Sequence, residues 1–290
     1  MRRALWAPSG RAWMVGALLA AVGILAVVVL LLGPARADAQ TAGRESLVVL
    51  TTGPDDVSVS PDATLPAGAT DVTLRNTGRA PAFMLLVRLN PGATLEQFRA
   101  FAGRSQAIPE DLITIVTSQF VDPGGKFQTS LALAAGNYLA MGNAPDGKGL
   151  GPVAEVTVGP ETSTAPAARA NARLTLFDFG IKAPARISGR STLQIKNDGR
   201  NFHFLLGIRL KPGFNADEVV RSLTGRGPAL KGEPGQFISV MGIVSPNTTN
   251  AVKVRLPAGR YVIACFFSDR HSNGHEHASF GMARKLTVTR

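Results

Sequence analysis

Cysteine is nearly missing from this chain. Cys265 is the only one in 290 residues, so no internal disulfide can form. In an exported protein a leftover thiol needs a reason: reactivity, an intermolecular bond or a metal. Histidine is scarce, with four residues, and tyrosine scarcer, with two. Acids number 20 against 31 Lys and Arg, but the bases are scattered. There is no Lys/Arg-rich run and no aromatic ladder, which argues against a nucleic-acid partner. The basic balance fits a solvated surface better than an acidic partner or a membrane surface. No Ser-His-Asp or Glu-zinc arrangement competes for a catalytic role, and no enzymatic activity is expected.

The one long apolar stretch is at the start. Arg2, Arg3 and Arg11 precede 22 uncharged residues, Ala12 to Gly33. Ala35-Arg36-Ala37 and Ala37-Asp38-Ala39 have the small-x-small form of a signal-peptidase site. The run is long enough to span a bilayer as a helix. Residues 1–39 therefore read as a signal peptide or an N-terminal membrane anchor, with membrane attachment through residues 12–33 in the second case. Either way the flanking arginines stay inside and the remainder is exported. It would be periplasmic, extracellular or anchored to the outer face of the cytoplasmic membrane. Loss of residues 1–37 lowers Lys plus Arg from 31 to 27 and leaves the acids at 20.

The rest of the chain repeats. Val72-Thr73-Leu74-Arg75-Asn76-Thr77-Gly78-Arg79 matches Leu193-Gln194-Ile195-Lys196-Asn197-Asp198-Gly199-Arg200 at an offset of 121 residues. Ala135-Gly136-Asn137-Tyr138 matches Ala258-Gly259-Arg260-Tyr261. The predicted organisation is a domain over 43–158, a small, polar, proline-bearing linker over 159–172 and a domain over 173–290. Short apolar/polar alternations such as Val252-Lys253-Val254-Arg255 are divided by Gly, Pro and Asn turns. Each half has one helix start: Thr94 with Gln97 before LEQFRAFA, and Asn215 with Glu218 before ADEVVRSL. The expected fold is all-β: two tandem Greek-key β-sandwiches, each with one inserted short helix, after an N-terminal hydrophobic helix.

Leu256 to Val288 concentrates the chemistry. It reads as strand, long loop, strand, and contains Cys265, three of the four histidines and Met282. Cys265, His277 and Met282 follow the order in which a strand end supplies a thiolate and the next loop supplies an imidazole and a thioether. Two imidazoles, one thiolate and a weak axial Met make a blue-copper site. The second imidazole must come from a distant strand, and His203 is the one histidine outside this stretch.

These residues resemble a cupredoxin of the plastocyanin type. The similarity lies in Asn197 to His203, Tyr261 to Cys265, and His277 through Gly281-Met282. It covers residues 172–290, and residues 43–160 as a fold only. It implies one type 1 copper held by His203, Cys265, His277 and Met282, with a protein redox partner that the sequence does not identify. It also implies that the more exposed imidazole, His277, is the route for the electron. Two departures stand out. The loop between Cys265 and His277 is eleven residues long, much longer than plastocyanin's and nearer to that of copper nitrite reductases, which predicts a looser or more exposed site. Phe204 stands where the family often has a polar residue bracing the Cys loop.

Each residue also has a plain structural reading. Cys265 suits a small buried hydrophobe, Met282 suits core, and His203 suits a strand edge. His271 and His275 read as solvated loop residues, His275 being the runner-up for the second imidazole. Four histidines cannot supply the roughly eight imidazoles of a trinuclear copper centre, nor the five of a nitrite reductase subunit. In the first half the ligand columns fall on Ala82 and Gly142, and near Gly147 and Pro152. One-electron transfer is therefore the expected work. Copper storage or delivery, or a metal-free sandwich acting as an interaction module, are the alternatives.

Overall fold

The computed structural model describes residues 45–53, 55–102, 107–142, 151–163 and 165–290. The proposed signal or anchor, residues 1–39, lies outside them. Among the described residues no helix is long and apolar enough to cross a membrane.

The first half contains β1 (Glu45–Gly53), β2 (Asp56–Ser60), β3 (Leu65–Asn76), β4 (Ala82–Leu89), α1 (Leu95–Ala102), β5 (Ile113–Val121), β6 (Lys126–Leu133), β7 (Gly136–Met141) and β8 (Val153–Thr162). The second contains β9 (Ala172–Phe177), β10 (Gly180–Lys182), β11 (Arg186–Ser188), β12 (Arg190–Asn197), β13 (His203–Leu210), α2 (Ala216–Leu223), β14 (Gly235–Val244), β15 (Thr249–Arg255), β16 (Gly259–Ala264) and β17 (Ala283–Thr289). The all-β class with one short helix per half is as read from the sequence. Strand alternation is visible in the burial of β12, where Ser191, Leu193, Ile195 and Asn197 point in and their neighbours point out.

Both helices start where sequence placed them. Thr94 and Gln97 bond reciprocally, each backbone N–H donating to the other's side chain at 2.9 and 3.1 Å. Asn215 accepts from the Asp217 N–H at 2.8 Å. β8 runs past 158 to Thr162, because a register shift lets Ala67 pair with Thr162 and accept from the Ser163 N–H at 2.7 Å. β9 then begins at Ala172.

Strand pairing follows the same plan twice. In the first half β1 lies between β2 and β3, β3 pairs β6, and β4 lies between β5 and β7. In the second, β9 lies between β10 and β12, β12 pairs β15, and β13 lies between β14 and β16. The halves also pair with each other. β15 joins β6 through Ala251–Ser130 and Val252–Thr129, so one sheet runs through both. β14 lies against β5, where the Ser118 hydroxyl donates to the Ile243 carbonyl at 2.7 Å and the Ser245 N–H donates to the Ile115 carbonyl at 3.0 Å. A β-carbon on Gly242 would come within 2.4 Å of the Ser118 hydroxyl oxygen, so glycine sets that approach. Buried Leu, Val and Ile from both sheets of each half form the core.

Candidate metal centre

One end of the second half brings two strand ends and a loop together. β13 and β16 pair antiparallel, with Leu206 opposite Ala264. This sets His203, the first residue of β13, near Cys265, the residue after β16. The loop then returns His277 at the head of a 3-10 turn, His277–Phe280. Backbone bonds close the loop onto the strands. The Cys265 N–H donates to the Met282 carbonyl (3.1 Å), the Ala278 N–H to Cys265 (2.7 Å), the His277 N–H to Phe267 (2.8 Å) and the Met282 N–H to His277 (3.2 Å).

His203, Cys265, His277 and Met282 are all fully buried. The two imidazoles present Nδ1 to each other at 3.1 Å, and Cys265 Sγ lies 3.9 Å from His203 Nδ1 and 3.8 Å from His277 Nδ1. A point in the plane of these three atoms lies about 2.1 Å from each, against metal bond lengths of roughly 2.0–2.1 Å to imidazole and 2.3 Å to thiolate. This is the only set of three or more such donors among the described residues. Met282 shares the apolar cluster that contains Cys265 and is bonded through its backbone to both Cys265 and His277. His271 and His275 are exposed and stand apart.

Burial governs the protonation of the metal-free site. It pushes the Cys265 thiol up to about 12, against the opposing pull of the Phe204 and Phe267 N–H groups. Phe204 thus supplies a brace after all, through its N–H at 3.5 Å from Sγ rather than its side chain. Burial lowers His203 to about 4, helped by His277 and opposed by Asp178. Burial also lowers His277, against the pull of Asp269. Neutral pH therefore finds two neutral imidazoles and a thiol, from which a metal would displace one proton.

The far nitrogens are less conventional. His203 Nε2 lies 3.5 Å from Asp178 Oδ1, and His277 Nε2 lies 3.4 Å from Asp269 Oδ2. These are ion-pair distances rather than well-made hydrogen bonds. Both Nε2 atoms and Asp269 Oδ2 lack a hydrogen-bond partner. Orphaned buried polar atoms are costly, roughly 1–3 kcal/mol each, and cluster where a site has a further purpose. Two imidazoles and a thiolate converging on one plane suit copper; the residues fit the ion.

Two expectations change here. His277 is not exposed: Phe179 packs edge-on against its ring at 5.3 Å, Phe267 does so at 5.7 Å, and Phe280 stacks on Phe179 at 4.9 Å. Nor is the eleven-residue loop slack. Ser272 is buried and exchanges bonds with Asp269, its N–H donating to Asp269 Oδ1 at 2.8 Å and its hydroxyl accepting from the Asp269 N–H at 3.0 Å. Asn273 and Gly274 take positive φ, and a Ser268–Glu276 bridge closes the base.

Sequence reasoning missed Asp178, Phe179, Gly199 and Asp269. Asp178 and Phe179 form the hairpin turn between β9 and β10, and Phe179 takes φ 63°, rare for a bulky residue. A β-carbon on Gly199 would sit 2.4 Å from Asp178 Oδ1 and 2.9 Å from His203 Nε2. Glycine there clears the space in which carboxylate and imidazole meet. Asp-Phe-Gly reads as a turn in sequence, but only the β9–β12 pairing places it behind His203.

No family profile and no curated protein match the chain. Similar solved structures do exist. Reduced auracyanin of the photosynthetic bacterium Roseiflexus castenholzii is 14% identical, over 41% of this chain and 95% of that one, with a TM-score of 0.25. The blue copper oxidase of Nitrosomonas europaea is 11% identical, over 84% and 85%, with a TM-score of 0.24. The copper-containing nitrite reductase of Thermus scotoductus SA-01 is 14% identical, over 85% and 61%, with a TM-score of 0.24.

Proposed function

We propose that this is an exported electron carrier with a single type 1 copper, which His203, Cys265 and His277 would hold, with Met282 as a weak further donor. The observation that carries the reading is the donor triangle, with edges of 3.1, 3.8 and 3.9 Å around one point. Copper would supply a one-electron couple there, with the thiolate its strongest electronic contact. The chain's part is to keep the donors fixed and dry. Loop bonds on Cys265, His277 and Met282 hold the plane, and Phe179, Phe267 and Phe280 exclude water from the His277 side. The burial of all three donors leaves a substrate no evident approach to the ion, which favours electron transfer over catalysis. Phe280 is 45% exposed and stacks on Phe179, so this aromatic pair is the contact between the buried His277 and a redox partner.

Complete burial of both imidazoles also favours a second reading, copper storage or delivery, in which the closed loop limits escape. The two readings separate by experiment. The purified protein is loaded with one equivalent of Cu(II) and studied by optical spectroscopy and voltammetry. An intense thiolate-to-copper band with a reversible one-electron couple supports the carrier. Tight binding with an irreversible couple supports the store. Absence of binding removes both.

A further inference from the structure

We infer that Asp178 and Asp269 make the site selective for the divalent over the monovalent ion, each acting through the imidazole it faces. The inference rests on the copper reading above and adds two positioning residues to it.

The argument begins with orientation. Were both Nδ1 atoms given to copper, the proton of each neutral imidazole would sit on Nε2. Each Nε2 lies within 3.5 Å of one carboxylate oxygen, Asp178 Oδ1 for His203 and Asp269 Oδ2 for His277. Neither carboxylate is there by accident of a mobile side chain. Asp178 accepts from the Arg200 N–H at 2.9 Å and the Asn201 N–H at 3.2 Å, and Gly199 leaves the gap that it fills. Asp269 is clamped by Ser272 and keeps its other oxygen, buried and otherwise unpartnered, for His277. Two different loops thus deliver one carboxylate to the back of each ring.

Charge decides the consequence. The thiolate and the two carboxylates together carry three negative charges. A divalent ion leaves the group at −1 and a monovalent ion leaves it at −2. Among the described residues no Lys or Arg forms an ion pair with Asp178 or Asp269; the nearby Arg270 lies 3.6 Å from Glu110 instead. The imidazoles and Asp269 Oδ2 are buried, so the imbalance is poorly screened there, and better screened at Asp178, whose side chain is 30% exposed. The carboxylates also make the imidazoles better donors, which favours the harder ion. Both effects have the same sign: Cu(II) is held more tightly relative to Cu(I), and the potential is low for this donor set.

The test is a pair of isosteric substitutions, Asp178→Asn and Asp269→Asn, made in the full chain. The amide oxygen can still accept the loop N–H groups. Cu(II) and Cu(I) affinities are measured separately by competition with chelators, and the potential by voltammetry. Each substitution should cost about tenfold in Cu(II) affinity relative to Cu(I), raising the potential by about 59 mV, and the double variant should move further. A purely structural role would weaken both ions alike and leave their ratio unchanged, which would overturn the inference while the copper reading stands. Failure of the wild-type protein to bind copper would remove both. If Asp178→Asn does not fold, Asp269→Asn on the other loop decides alone.

Discussion

In the first half, Asn76 donates from its side chain to the carbonyls of Ala80 and Val121 and accepts from the Gly78 N–H. In the second, Asn197 does the same with Asn201, Val244 and Gly199. Tyr138 and Tyr261 each donate to a carbonyl four residues back, Ala134 and Pro257, and Arg88 and Arg209 each reach across to Ala135 and Ala258. The bracing is common to both halves, but the metal donors are not. Ala82 opens β4 where His203 opens β13, and Gly142 follows β7 where Cys265 follows β16. A β-carbon at Gly142 would already press on Val57 at 3.1 Å. The sandwich is thus held by its asparagine turn and tyrosine corner with or without donors, and the donors of the second half are an addition to a scaffold that stands without them.

The sharpest break of this contrast is Cys265→Ser. Colour from thiolate-to-copper charge transfer should vanish and Cu(II) affinity should fall by orders of magnitude, because a hydroxyl is a poor substitute for thiolate. Wild type should carry one copper per chain; elemental analysis finding two would mean that the first half has donors after all.

Metal-free stability should depend on pH through His203 and Cys265 of the second half. His203 is lowered in the folded state, so the unfolded chain takes up its proton first. Stability is complete above about pH 6.5 and drains away as pH falls toward 4. Raising Cys265 to about 12 works in the opposite sense, and stability declines as pH climbs past the ordinary thiol range near 9. Thermal melts of the apo protein across this span should show a plateau between the two limits. Flat behaviour at the acid end would mean that His203 is not buried in its neutral form.

A paired substitution comes next in size. Asn76→Ala and Asn197→Ala each remove two buried donors' bonds and should each cost about 2 kcal/mol. Only Asn197→Ala should also alter the copper spectrum, since its turn carries Gly199 beside His203. Equal spectral change in both would show the halves to be coupled at the site.

The smallest effect is expected from Met282→Leu. Volume is kept and a sulfur donor is lost, so copper stays bound and the potential rises modestly, Cu(II) losing more donation than Cu(I). An unmoved potential would make Met282 plain core.

Much of this was legible in the sequence for physical reasons. Strand alternation, the Thr94–Gln97 box, the Asn215 cap and the repeated Asn-x-Gly turn are local patterns, and they hold. Cys265, His277 and Met282 are joined by one short segment, so their spacing carried information. Burial was not legible. Whether His277 meets water depends on Phe179, nearly a hundred residues earlier in the chain, and on Phe280, whose position follows from the 3-10 turn. The loop looked slack because its length was read without its contents; Asp269 and Ser272, three residues apart, are a local bonding pair that could have signalled order. Asp178 could not have been found without knowing that β9 lies beside β12.

The sheet shared through β6 and β15, and the seam where Gly242 admits Ser118, have a mechanical meaning. Among the described residues, hydrogen bonds cross from one half to the other at several points and resist hinging between them. Anything that grips the first half is held at a set distance and angle from His203 and Cys265. Under the proposed electron-transfer function the half without donors would serve as a ruler: it would fix how far a bound molecule stands from the site, and electron tunnelling falls steeply with that distance.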